Sequence, residues 1–163
     1  MGQLGRATAE AGTAAGEPSL VFRAVPLLGA LRLGEVIETM RPLPVRHLAG
    51  TPAFVTGICV MRGEPTLVVD VARLLGGHEA EVSRYVAVRT GRGPVAFATG
   101  PILGIRTVAA DGESRQAALL GEAAARLIAA VGTVDAEPVL VLQSLDLVPD
   151  EAWAAVAAPA EAS

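Results

Sequence analysis

Arg62 is the most informative polar side chain in this sequence, because it stands beside Gly63 in the stretch Gly57 to Val71, GICVMRGEPTLVVDV. Ile58 and Val60 before the Arg-Gly pair, and Thr66 and Val68 after it, read as two paired strands. Gly63 supplies the backbone freedom that a tight reversal demands. An arginine beside such a turn keeps its charge hydrated while its carbon stem covers apolar surface, and its rigid donor fork suits a carboxylate. Two readings stay open from the residues alone: an ordinary solvated turn charge, or recognition of a partner's carboxylate. Two acids complete the set: Glu38 and Asp70 are placed to pair with Arg41 and Arg73, respectively, or to cap neighbouring backbone amides.

Bond-making chemistry finds little support. His47 is isolated among prolines, and His78 follows Gly-Gly near Glu79 and Glu81. With Cys59 they give no zinc-ligand spacing, so no metal is expected. Ser83, Ser114 and Ser144 sit in no strained elbow, and Gly91-Arg92-Gly93 is short of both the phosphate-loop and dinucleotide patterns. Cys59 is the one cysteine, which excludes an internal disulfide and fits a reducing compartment. Its place in an apolar strand reads as a small buried hydrophobe. The expectation is a protein that is no enzyme and carries no cofactor.

Composition narrows the class further. The 163 residues suffice for one well-buried core or two small subdomains sharing an interface. Hydrophobic residues make up 52% but aromatics only 3%, so Val, Leu, Ile and Ala must build the core, with Phe22, Phe54, Phe97, Tyr85 and Trp153 as scattered large pieces. No platform for stacking bases is visible, and a formal charge of -4 gives phosphates little attraction, so no nucleic-acid partner is expected. Every basic residue other than histidine is arginine, and Lys and Asn are absent. No basic flank precedes an apolar run at the N-terminus and no apolar stretch reaches spanning length, so the expectation is a soluble cytoplasmic protein without membrane insertion.

The elements that must position Arg62 follow from the apolar pattern and its punctuation. Residues 1–18 read as a flexible leader and 153–163 as the end of a closing helix with a flexible tail. Leu20 to Val25 reads as a strand, Leu27 to Gly29 as a reversal, and Ala30 to Val36 as its return, carrying on towards Met40. Three prolines between Arg41 and Pro52 mark an extended connector. After the Arg-Gly hairpin, Asp70 to Leu75 reads as one helical turn stopped by Gly76 and Gly77. Strands are expected at Arg84 to Thr90, Val95 to Thr99 and Leu103 to Val108, with a turn over Gly91 to Pro94. Gln116 to Ala125 has high helix propensity. Leu127 to Val134 either extends that helix or forms a hairpin strand, and a strand from Ile128 is preferred, paired with Val139 to Leu142. Glu151 to Ala158 should form the closing helix. Short strands at this spacing predict an all-β fold of barrel or sandwich type. The halves 20–75 and 84–147 hint at duplicated architecture.

Taken together, Val21-Phe22, Leu33 to Val36 followed by Ile37-Glu38, the proline-rich connector, Gly57, Arg62-Gly63 and Val69-Asp70 resemble the CheW family of chemotaxis coupling proteins. Gly104-Ile105 and Leu140 to Leu147 extend the resemblance, which covers residues 19–152. It implies two small five-stranded SH3-like barrels packed together, with short helices and no catalytic centre. It also implies an adaptor that bridges the cytoplasmic tip of a chemoreceptor to the regulatory domain of a histidine kinase, recruited to membrane-associated receptor arrays. On that basis Arg62, Val36, Glu38 and Ile58 line or border a receptor groove. Leu43, Val45, Phe54 and Thr56 lie near the kinase-facing side, and Gly57, Gly63 and Asp70 are structural turn positions. The chain departs from the family pattern where Val60 replaces a common Asn, Leu67 a common Pro, and Gly100 a nearby acid; Val60 and Leu67 still suit buried strand positions. Two alternatives stay open: a small-molecule-binding regulatory module using the cleft between subdomains, and a related adaptor in a non-swimming chemosensory pathway.

Overall fold

The computed structural model describes residues 17–24, 27–76, 80–110, 128–143 and 150–157. In chain order it forms β1 (Glu17–Ala24), β2 (Leu27–Arg32), a 3-10 turn (Leu33–Glu35), β3 (Val36–Met40), β4 (Val55–Met61) and β5 (Glu64–Asp70). Then come α1 (Val71–Gly76), β6 (Arg84–Thr90), β7 (Gly93–Thr99), β8 (Ile102–Ala110), β9 (Ile128–Val134), β10 (Glu137–Leu142) and α2 (Asp150–Ala157). The all-β expectation holds, with the strands split into two five-stranded units.

The units are not the consecutive halves expected. A closed barrel runs β1-β2-β10-β9-β8, and the second sheet runs β3-β6-β7-β5-β4, so the sheet is inserted between the barrel's second and third strands. The duplication is nevertheless real at the level of topology. In the sheet, β3 to β7 pair antiparallel except for the parallel pair β5–β7. The barrel strands taken in the order β8, β9, β10, β1, β2 repeat that scheme, with β2–β10 as the parallel pair. The barrel is thus the sheet's topology circularly permuted. Alternation of side chains fixes which faces are apolar but not which neighbour a strand takes, so the sequence conceals this interlacing.

The expected reversal at Leu27 to Gly29 is instead part of β2, because Ala24 already pairs with Leu27. Gly29 is there for space: it lies across from Phe22, and a Cβ on it would stand 2.6 Å from the Phe22 ring. The expected strand from Ala30 through Val36 is likewise broken by the 3-10 turn, which carries the chain from barrel to sheet. Elsewhere the expectations hold closely. The Arg-Gly hairpin, the strands at 84 and 128 and the short helix after Asp70 are all present, and Gly93 and Pro94 begin β7. The helix expected at Gln116 to Ala125 lies outside the described residues, as do His78, Ser114 and Ser144.

Three apolar clusters hold the fold. Val21, Leu28, Ala30, Val108, Ala130, Val139 and Val141 come from all five barrel strands and meet inside the barrel. Cys59, Met61, Val68, Tyr85, Ala87, Ala96 and Ala98 lie under the curved sheet, closed over by Met40, Leu43, Val45 and Val82. The third cluster lies between the units and joins Leu20, Phe22, Leu31, Leu140 and Leu142 of the barrel to Leu67, Val69, Val86, Val88 and Phe97 of the sheet. Val71, Leu74 and Leu75 of α1 and Ala152 of α2 complete it. Among the described residues no buried side-chain nitrogen or oxygen lacks a partner; Ser19, Thr66 and Thr99 bond to the carbonyls of Glu17, Glu64 and Gly100.

Phe97 is fully buried in the shared cluster, so Phe97→Ala should cost about 3–5 kcal/mol in chemical denaturation. Barrel and sheet should lose stability together, in one transition followed equally by circular dichroism and by Trp153 fluorescence. Two separated transitions would show that the shared layer does not join them.

Candidate functional site

The Arg62-Gly63 pair forms a two-residue turn flanked by the Met61–Glu64 strand pair. Both residues have positive φ, 52° and 79°, the signature of the primed turns that match the twist of a hairpin. Glycine accepts this freely, whereas an arginine in the left-handed region costs about 1–2 kcal/mol. The side chain is held in return. Arg62 Nε and Nη2 donate to Glu38 Oε2 and Oε1 at 2.5 and 2.7 Å, a bidentate pair between the β4–β5 turn and strand β3.

That pair closes a seam. Strands β3 and β4 are the two unpaired edges of the sheet, and open edges invite foreign strands. The connector covers the β4 edge, where Arg46 and Ile58 exchange two backbone hydrogen bonds of 2.8 Å. His47 Nδ1 donates to the Thr56 carbonyl at 3.1 Å, and Tyr85 donates its hydroxyl proton to the Leu43 carbonyl at 3.3 Å. Gly57 serves this crossing rather than a turn: it lies inside β4 beside a register shift, and a Cβ on it would come within 2.1 Å of the Arg46 carbonyl oxygen. Asp70 ends β5 and accepts the backbone N–H of Arg73 at 3.2 Å, capping the start of α1. Glu38 pairs with Arg62, not Arg41, and Asp70 takes the amide-capping role.

The expected receptor-side residues thus divide in two. Glu38 and Arg62 form the exposed ion pair, while Val36 and Ile58 are half-buried against the shared core. The expected kinase-side residues divide as well: Leu43 and Val45 pack beneath the sheet, Phe54 packs on the shared core, and Thr56 offers its carbonyl to His47. Leu67 is fully buried, but Val60 is 66% exposed, contrary to the buried place expected for it. Ile37 on β3 is exposed too, so each of the two edge strands carries an exposed apolar residue. Alternation flags both positions as outward-facing once the edges are known; the edges themselves are what the sequence hides.

The permuted barrel carries a counterpart. Its β9–β10 turn, Asp135-Ala136, again has two positive φ values, 50° and 67°. Asp135 receives Arg106 of β8 at 3.3 Å across the barrel's own seam, which among the described residues only the pairs Ala109–Thr133 and Ala110–Gly132 close. The charges are reversed: the sheet's turn carries the cation, the barrel's turn the anion. Leu103 and Ile105 on β8 are the exposed apolar residues there.

Electrostatically the sheet seam is well formed. The hydrogen bond from Arg62 holds the Glu38 carboxyl below its ordinary value of 4.5, outweighing the desolvation that raises it, and the charge of the guanidinium adds a lesser lowering. Cys59 is buried, and desolvation pushes its thiol up, away from reactivity. Among the described residues no set of His, Cys, Asp or Glu is arranged to hold a metal, and no helix is long and apolar enough to cross a membrane. A cleft of about 200 Å³ between the units is lined by Arg23, Asp70, Glu81, Ser83, Thr99 and neighbouring residues.

A carboxylate with a depressed pKa contributes its interaction above the unfolded value and loses it as pH falls through the folded one. The Glu38–Arg62 pair should therefore remain closed at pH 4.5 and open only on further acidification. The protected Arg62 Nε–H signal in NMR checks this; its loss already near about pH 5, within the usual carboxylate range, would contradict the pairing.

The CheW-like domain model matches residues 19–152. Among solved structures the chain is similar to the scaffolding protein TtCheW from Thermoanaerobacter tengcongensis, with a TM-score of 0.67 and 16% identity over 81% of this chain and 92% of that one. No curated protein matches the sequence. With the family model spanning both units of the fold, the barrel and the inserted sheet, the chain belongs to the CheW-like domain family.

Proposed function

We propose that this protein is a non-catalytic signalling adaptor that couples chemoreceptor cytoplasmic tips to the regulatory domain of a histidine kinase. The observation that carries the proposal is the Arg62 fork. Glu38 occupies Nε and one side of Nη2, which fixes the plane of the guanidinium, yet the side chain is 76% exposed. With the side chain this exposed, its remaining N–H groups can donate to a second carboxylate. Exposed Ile37 on β3 and Val60 on β4, the two edge strands, offer apolar surface, the mixture that partner surfaces use. Val36 and Ile58 border this surface from below, and Leu43, Val45, Phe54 and Thr56 are assigned to the kinase side. Membership of the family and likeness to a protein described as a scaffold support the same reading. The protein would then act from the cytoplasm, at receptor arrays, in swimming chemotaxis or in a related chemosensory pathway.

The small-molecule alternative is weaker, because the cleft between the units is smaller than the roughly 300–1,000 Å³ usual for ligand pockets.

Titration of Arg62→Ala against a receptor-tip fragment and a kinase regulatory domain tests the assignment. The variant should stay folded by circular dichroism, lose receptor affinity by about tenfold or more, and bind the kinase domain unchanged. Unchanged receptor binding would remove Arg62 from the site.

A further inference from the structure

The chain crosses between barrel and sheet at two covalent points, the 3-10 turn Leu33–Glu35 and the step from Thr99 to Ile102. Both lie close to the barrel strand β1. Gly100 donates its N–H to the Arg23 carbonyl at 2.8 Å and Arg23 donates its own to Pro101 at 2.9 Å, while the 3-10 turn packs on β1. Arg32, before the first crossing, pairs with Ser19, and the second crossing bonds to Arg23, so the two stand towards opposite ends of β1 and define a hinge line along that strand. What resists opening about that line is the shared apolar layer and whatever bridges the units away from the crossings.

The helices are that bridge. Each follows the third strand of its unit in the permuted scheme, and each reaches across: α1, from the sheet, touches β1 of the barrel, and α2, from the barrel, packs on β5 of the sheet. They are held differently. Helix α1 is continued by β6, so strands of one sheet flank it on both sides. Among the described residues, helix α2 meets the sheet through side chains. Ala152 is fully buried in the shared layer, with Trp153 and Val156 half-buried against it.

Arg92, in the β6–β7 turn of the sheet, meets α2 twice. Its Nη1 donates to the Asp150 carboxylate at the helix start, and its guanidinium lies 5.5 Å from the Trp153 ring centre. The turn itself is braced, since Thr90 Oγ1 accepts the Arg92 backbone N–H at 3.1 Å. A Cβ on Gly93 would stand 3.7 Å from the Trp153 ring, so the indole rests on the turn. An eight-residue helix does not persist alone in water, so docking and helix formation are one event.

We propose that α2 is a side-chain-held clasp that keeps the barrel and the sheet in a fixed relation, with Arg92 as its positioning residue. While the clasp is docked, the two charge-reversed seams, at Arg62 and at Asp135, keep a set separation. When it is released, the units swing about the paired crossings. The inference does not depend on which partners the protein takes.

The test uses the full chain with spin labels at Glu64→Cys in the sheet hairpin and Thr107→Cys in the barrel, both exposed positions; buried Cys59 stays unlabelled. The same protein with and without Arg92→Ala is followed by the fluorescence of Trp153, the one tryptophan, and by pulsed dipolar distance measurement. The expected result is a red-shifted, more quenchable Trp153 emission together with a broadened label–label distance distribution. Raising salt on the parent protein should move both readouts the same way, since the Arg92–Asp150 pair is solvent-exposed. An unchanged emission in the variant would show that Arg92 does not hold the helix. A released Trp153 with an unaltered distance distribution would show that the helix does not set the relation of the units.

Discussion

The apolar layer between barrel and sheet takes Phe22, Leu31 and Leu142 from one side and Leu67 and Phe97 from the other. It obliges the strands that border it to be apolar on both faces, one towards this layer and one towards their own unit's interior. Strands β1, β5 and β7 accordingly carry runs of four or more buried residues, whereas the edge strand β3 buries none fully. Because the sheet is inserted into the barrel's chain, the barrel has no continuous sequence from which to fold apart from it. The layer thus joins what the topology already interlaces, and with α2 docked in it the two seams share a common base.

On that base the permuted repeat becomes informative. A five-stranded unit of this topology leaves a junction between its first and second strands, β3 and β4 in the sheet, β8 and β9 in the barrel. The barrel closes its junction with two residue pairs, the sheet with a crossing connector and an ion pair. In both, a strained two-residue turn projects a charged side chain back over the junction, and the signs are opposite. Surface ion pairs contribute little to stability, so their worth here is geometric: they fix where a charge and its exposed apolar neighbours stand. One body then carries two such ion pairs at separate junctions, with the roles of turn and strand exchanged.

Much of this was legible beforehand, and for identifiable reasons. The Arg62-Gly63 turn is marked by its glycine and the short helix after Asp70 by a capping acid at its start. Gly29 misled because glycine signals a turn more often than a close approach, and only the ring of Phe22 across the pair explains it. The partner of Glu38 was out of reach because β3 and the β4–β5 turn meet only through the sheet's order, which period-two patterning leaves unspecified. The exposure of Val60 was hidden for the same reason: an apolar residue in a strand reads as core until the strand is known to be an edge. Arg92 and Trp153 lie 61 positions apart in sequence, and nothing local links them.

The central claim is that one rigid body serves two partners through separate faces, so the most direct measurement is sedimentation of the protein mixed with a receptor-tip fragment and a kinase regulatory domain. The account predicts a ternary complex, with each binary affinity preserved when the other partner is saturating. Mutually exclusive binding, one partner displacing the other, would contradict it.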